Sequence, residues 1–408
     1  MTTHPPENAL RAALRLLGTR RFGTFWFASL LSSIGTWAQQ VAQPWLLLSL
    51  GASSVLIGLD AFAMSAPVWL LTLAGGVLAD RADRRQVIAG FQSLQMLCPI
   101  AIVALLLTGT VQPWMIIVLS LIVGITDALS MPSFASIVPS IVERRQIGAG
   151  LALNSTQFNI SRIAGPALAG VLMAGAGAIG CFVVSALSYL PFIGVALWIL
   201  PRGAAARSAT TALDPRHPLA GLRTMARLPV IRGALLTTFF SGLLCGPVVT
   251  FCPVLILSAF HGGAAQFSLA VSAFGCGGLL GAISLLAISA QRDRSRLSAW
   301  FAALFGLTLV AVALVPWFWA LVGLLVLAGV TMSVTNTATN TLVQTAAASA
   351  LRGQAVSLYM LAMRGGLALG SVLTGFSVHL LGIRPALLLN GLLAIAAQFI
   401  ISRRPAHD

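Results

Sequence analysis

Lysine is absent from this chain of 408 residues, and Asp and Glu together number only nine. Charged residues of both signs make up 8% of the sequence, against about a quarter in an ordinary soluble domain. So little charge cannot solvate the surface of a water-soluble fold of this length. Without Lys there can be no phosphate-binding loop of the G-x4-G-K-[ST] type, so the chain supplies no nucleotide-driven motor of its own. The five histidines and nine acids are scattered. They offer no clustered nucleophile, base or metal set for a membrane-embedded enzyme, and no metal or cofactor is expected. Cysteine is scarce too. Cys98, Cys181, Cys245, Cys252 and Cys276 are an odd number without ligand-like spacing, which argues against a disulfide framework or a metal site. They are expected to be small buried hydrophobes.

What the chain has in abundance is apolar sequence, at 58%. A membrane-spanning helix needs about 20 mostly apolar residues, and about a dozen stretches here qualify. The runs are long and unbroken, as in Met115–Gly124 and Leu321–Val330, which excludes the alternating pattern of a membrane barrel. The reading is an all-α membrane protein with twelve transmembrane helices, at 22–49, 56–79, 86–108, 113–136, 147–174, 178–200, 231–258, 266–288, 299–315, 317–344, 355–380 and 383–402. No cleavable leader is expected, because the first apolar stretch behind Arg11, Arg15, Arg20 and Arg21 is too long.

The formal charge of +15 would suggest nucleic acid in a soluble protein, but here the arginines sit in short loops between spans. With both termini cytoplasmic, 21 of the 24 basic residues fall on the inner side. Only Arg384 lies outside, with Arg162 and Arg364 inside spans. The positive-inside rule therefore sets the orientation, in a bacterial inner membrane, and leaves Trp114, Trp317 and Trp319 at the outer interface. The organisation expected is a cytoplasmic tail (1–21), a six-helix bundle (22–200), a cytoplasmic linker (201–230), a second six-helix bundle (231–402) and a short tail (403–408). Within the linker, His217–Leu228 suits a short amphipathic helix on the inner surface.

The two bundles repeat. A shift of 205 residues lays Gly58 on Gly263, Gly76 on Gly281, Gly124 on Gly329 and Gly148 on Gly353. It also lays Gly165 on Gly370, Gly170 on Gly375, Gly177 on Gly382 and Trp114 on Trp319. Two pseudo-symmetric bundles related by an axis along the membrane normal are the architecture of alternating-access transporters, with a substrate site near the midplane.

Between the second and third spans lies Gly76-Val-Leu-Ala-Asp80-Arg81-Ala-Asp83-Arg84-Arg85. A small residue one turn before an acid at the cytoplasmic rim suits a latch: Gly76 admits a neighbouring helix, and Asp80 faces a helix N-terminus or an Arg. A solvated loop that only sets topology is the plainer reading. The run resembles the signature loop of the major facilitator superfamily, G-x-x-x-D-R-x-G-R-R, with Asp83 in place of the usual Gly. The variant D-R-x-D-R-R is similar to that of its drug- and siderophore-exporter branch, the transmembrane secretion effectors (enterobactin-exporter-like). Thr36-Trp-Ala-Gln-Gln-Val-Ala-Gln-Pro-Trp45 and Ile160-Ser-Arg-Ile-Ala-Gly-Pro-Ala-Leu-Ala-Gly170 resemble the first and fifth spans of that branch. The fifth-span run also resembles the antiporter signature G-x8-G-x3-G-P-x2-G-G. In that register Gly165, Pro166 and Gly170 keep their types, while Ala152, Ser161 and Ala169 replace glycines. The resemblance implies the major facilitator fold and export rather than uptake.

Charges inside spans are costly, about 2.5–3.5 kcal/mol at a helix centre on insertion scales, so each needs a role or a partner. Asp127 in span four is the first candidate for a titrating or substrate-facing carboxylate, with Asp60 in span two at the outer mouth. Arg162 and Arg364 either attract an anionic substrate or pair with these acids. Polar stripes complete the candidate path: Ser32, Thr36, Gln39 or Gln40, and Gln43 in span one, Asn159 in span five, and Asn336, Asn340 and Gln344 in span ten. Interhelical hydrogen bonding is the alternative use of such stripes. The function expected is secondary active export of a drug-like or siderophore-like small molecule by alternating access, with protons as coupling ion. The expected partners are the bilayer, substrate and protons, the chain being monomeric. A nutrient importer or facilitator of the same fold, or a transporter-like receptor without flux, are the alternatives.

Overall fold

The computed structural model describes residues 15–71, 75, 78, 82–200, 228–287, 293–347 and 352–403. The elements among them are all helices. The twelve long ones are α1 (Arg20–Ser49), α2 (Ser54–Leu71), α3 (Arg84–Leu107), α4 (Pro113–Ala135), α5 (Ile147–Gly175) and α6 (Gly177–Ile199). Then come α7 (Pro229–Leu244, resuming as Pro247–Thr250 and Cys252–Phe260), α8 (Ala264–Ala287), α9 (Arg294–Leu314), α10 (Phe318–Ala346), α11 (Arg352–Leu381) and α12 (Ile383–Arg403). Ten of them are long and apolar enough to cross a membrane. The other two, α1 and α5, have 30 and 29 residues and hence the length, but their polar stripes and arginines dilute the apolar content.

Several boundaries differ from the sequence expectation, each for a local reason. Helix α9 starts at Arg294 rather than 299, because the Asp293 carboxylate accepts from the N–H groups of Ser295 and Arg296 at 2.9 and 3.3 Å. Asp83 caps α3 in the same way, accepting from the Arg85 N–H at 2.9 Å. The single span expected at 231–258 is jointed: the helix is interrupted at Cys245–Gly246 and at Phe251, beside Pro247 and Pro253, which have no N–H to give. Four cysteines are buried as expected, but Cys276 is exposed on α8. The expected amphipathic helix at His217–Leu228 lies outside the described residues, apart from its last residue.

By Cα packing the chain forms two compact units. One comprises Met1–Ala42, Leu70–Val111 and Ile125–Ala206; the other comprises Gln43–Trp69, Gln112–Gly124 and Arg207–Asp408. In the first, Phe22, Phe25, Trp26, Ile88, Ile137 and Phe192 form an apolar core. In the second, Ile231, Ala234, Val343, Ala355 and Tyr359 do so among α7, α10 and α11.

The glycine repeat has a structural counterpart. A side chain at Gly124 on α4 would strike the Ala63 and Met64 carbonyls of α2, and one at its mate Gly329 on α10 would strike the Phe274 carbonyl of α8. Likewise Gly165 on α5 abuts Trp37 and Ile34 of α1, while Gly370 on α11 abuts Leu243 of α7. The α4–α2 and α5–α1 crossings thus recur as α10–α8 and α11–α7, made possible by backbones that approach without a Cβ between them. The third pair, Gly177 and Gly382, turns the chain from α5 to α6 and from α11 to α12 at φ of 64° and 86°, a region that suits glycine.

Candidate functional site

In the unit that contains α3, α5 and α6, the polar face of α1 is tied to its neighbours. Gln39 accepts from Ser185 Oγ of α6 at 2.7 Å, and Thr36 donates to Tyr189 Oη at 3.4 Å. Gln157 of α5 donates to the Ser29 carbonyl at 3.0 Å and to Ser33 Oγ at 2.8 Å, and the Trp26 indole donates to the Leu153 carbonyl at 2.8 Å. Asp127 of α4 is half-buried and accepts from Gln95 Nε2 of α3 at 2.9 Å. Gln95 in turn donates to Thr126 Oγ1 at 3.0 Å and accepts from Gln92 at 2.9 Å. A carboxylate held by one amide, with its second oxygen outside this relay, keeps capacity to bind a proton or a donor.

The same unit positions the antiporter-like run on α5. Ser161 is buried and bonds back to the Phe158 carbonyl at 2.8 Å, Gly165 seats the helix on α1, and Pro166 interrupts the hydrogen-bond ladder. Gly170 lies one turn beyond. Arg162 is half-buried with its guanidinium over the Trp37 ring, 5.6 Å from the centroid. Asn159 donates to the Ser155 carbonyl of its own helix at 2.9 Å.

In the other unit, Asp60 of α2 is 6% exposed. Gln43 Nε2 of α1 lies 2.8 and 3.0 Å from its two oxygens and 2.7 Å from Ser120 Oγ of α4; Ser120 donates to Asp60 Oδ1 at 2.6 Å. This closed ring ties three helices together. The Asp60 carboxylate is thus enclosed and hydrogen-bonded. Ser120 escaped the sequence reading because one serine in an apolar run carries no periodic signal. On α10, Asn340 accepts from Gln344 of the same helix at 3.0 Å, and the Asn336 carbonyl accepts from Tyr359 at 2.9 Å. Arg364 of α11 is half-buried. Among the described residues, neither Arg162 nor Arg364 forms a salt bridge with an acid; the two described pairs, Arg145–Glu143 and Arg296–Asp293, are exposed. Of the rim motif, Gly76, Asp80 and Arg81 lie outside the described residues, while Asp83, Arg84 and Arg85 form the capped start of α3.

A cavity of about 560 Å³ lies in the second unit, between α7 and α11 and beside Trp69 of α2. Leu235, Leu236, Phe239, Leu358, Leu361 and Ala362 give it apolar walls, and among the described residues Arg232 is its only charged lining residue. That volume is in the usual range of small-molecule sites, about 300–1,000 Å³. The sequence contained these residues only as ordinary apolar helix faces.

Comparison with known proteins gives a consistent likeness. The family described as transmembrane secretion effector matches residues 12–407. The staphyloferrin A transporter of Staphylococcus aureus is 25% identical over 71% of this chain and 72% of its own length. The multidrug efflux pump Tap of Mycolicibacterium fortuitum is 26% identical over 81% of this chain and 83% of its own. Among solved structures, a mutant of the nucleoside transporter NupG superposes with a TM-score of 0.77 at 13% identity, covering 94% of this chain and 99% of that one. At that identity the last likeness speaks for the fold alone.

Proposed function

This chain belongs to the transmembrane secretion effector family of the major facilitator superfamily, and from that membership we propose that it is a secondary active exporter of a small molecule, driven by proton antiport. Multi-pass membrane insertion and transport follow from the family and the apolar helices. Direction, coupling ion and cargo are our reading. The observation that carries it is the doubled glycine crossing: Gly124 with Gly329, and Gly165 with Gly370, make one packing scheme serve twice. Two copies of one helix arrangement, 22–200 and 231–402, joined by a basic linker at 201–230, suit a machine that exposes a central site to each side in turn. The arginine distribution supports cytoplasmic termini in a bacterial inner membrane.

Export is supported by the efflux and siderophore-transport names of the relatives, and by the small-residue run Ser161, Gly165, Pro166 and Gly170. Protons are favoured as coupling ion because the acids inside the helices, Asp60 and Asp127, are met by amides and hydroxyls rather than by counter-ions. Asp127, half-buried and singly bonded, is the better placed to exchange a proton during the cycle. The rim motif from Gly76 to Arg85 is proposed as the inner latch. The chain is taken to work as a monomer.

The test uses inverted vesicles loaded with purified protein and a fluorescent amphiphile as probe cargo. An acid-inside gradient is expected to drive accumulation at least fivefold over protein-free vesicles. Accumulation that persists unchanged when an ionophore collapses the gradient would sink the antiport reading.

A further inference from the structure

The cavity beside Trp69 has a shape and a chemistry that the family membership does not supply. Helices α7 and α11 run parallel, and higher up they touch directly: Gly366 and Gly370 meet the Phe239 and Leu243 backbones. Below that crossing the facing positions carry leucines, at 235, 236, 358 and 361, and the groove opens between them. At one end of it stands Trp69, whose indole lies against Gly365 so closely that a side chain there would collide with the ring. The Trp69 Nε1–H is buried without an acceptor. The other end carries Arg232, one turn into α7, exposed and without a carboxylate partner among the described residues.

We propose that this groove is the entry site for cargo, and that it selects a compact amphipathic anion: an apolar body between α7 and α11, with an acidic head on Arg232. The proposal rests on the transport reading above and deepens it by naming the chemical class of substrate. Two observations fix the class. Among the described residues the walls offer no charged side chain except Arg232 and no other polar group than the Trp69 Nε1–H, so the body is apolar and the charge it meets is positive. The groove is also short. Seven residues separate Arg232 from Phe239, about 10 Å of helix. One leaflet of hydrocarbon is about 15 Å deep. A phospholipid chain would overrun Trp69, whereas a molecule of a few fused or linked rings fits below it.

The experiment uses the full chain in nanodiscs of neutral lipid and two fluorescent probes with one ring system. These are 8-anilino-1-naphthalenesulfonate, which is anionic, and N-phenyl-1-naphthylamine, which lacks the sulfonate. The anionic probe is expected to bind more tightly than the neutral one, with energy transfer that falls in Trp69→Phe. Arg232→Gln should weaken the anionic probe tenfold or more and leave the neutral probe within twofold. Leu361→Trp, which fills the groove from an exposed position, should weaken both fivefold or more. Equal loss of both probes in Arg232→Gln, or no loss of either in Leu361→Trp, would overturn the assignment. So would suppression of anionic-probe binding by doping the nanodiscs with phosphatidylglycerol, the mark of a lipid site. Binding as described, without gradient-driven flux in vesicles, would instead count against the antiport reading and leave the groove standing.

Discussion

Helices α1–α6 and α7–α12 cross through the same paired glycines, yet what they enclose differs in kind. Every one of the first six contains a proline beyond its first turn: Pro44, Pro67, Pro99, Pro132, Pro166 and Pro191. They also hold Asp60, Asp127 and Arg162, each met by amides, hydroxyls or an indole. The last six contain no acid, and beyond the first turn only α7 is broken by proline. Their interhelical bonds join neutral groups: Thr238 to Thr339 at 3.0 Å, Thr237 to Gln398 at 3.3 Å and Asn390 to Thr374 at 2.8 Å. A shared packing scheme therefore does not entail shared work. The first half has a proline within every helix and carries the titratable groups, while the second is poorer in proline and supplies all of the groove's described lining except Trp69.

The largest losses are expected at the glycine crossings that both halves share. Gly165→Leu and Gly370→Leu each force a side chain into a backbone contact. Overpacking of that kind costs about 3 kcal/mol. Both variants should lose monodisperse protein and all transport; tolerance in one half alone would end the equivalence of the two crossings. Next in size is Asp127→Asn, which should reduce gradient-driven accumulation tenfold or more while substrate exchange without a gradient persists. Flux that still follows the gradient in this variant would remove Asp127 from coupling. Asp60→Leu leaves Gln43 and Ser120 without their acceptor, a loss of about 1–3 kcal/mol. Thermal unfolding in detergent should report it as a lowered Tm, and an unchanged Tm would mean that the ring stabilises nothing. The smallest effect is expected from Thr238→Val in the neutral half, where membrane hydrogen bonds are worth about 0.6 kcal/mol. A larger loss there than in Asp60→Leu would invert the contrast drawn between the halves.

The helices were legible because membrane insertion demands long apolar runs, and those leave an unambiguous trace. The glycine repeat was legible for a related reason, since a close crossing tolerates few residue types and so recurs at fixed spacing. The joint in α7 was not: Pro247 and Pro253 were visible, but the apolar run from Ile231 to Leu257 passes straight over them. Asp60 was found but its hydrogen-bonded ring was not, because the ring closes through Ser120, 60 residues away. The groove left no trace at all. Leucines that line a cavity and leucines that face lipid satisfy the same hydropathy, and only the register of α7 on α11 separates them.

The interruption at Cys245–Gly246 lies above every groove residue on α7. A rod jointed there can tilt its far part and leave the near part unmoved, much as a finger bends without loosening the palm. Cargo seated beside Arg232 would then ride through the rearrangement of the opposite end undisturbed, so that grip and release answer to separate segments of a single helix.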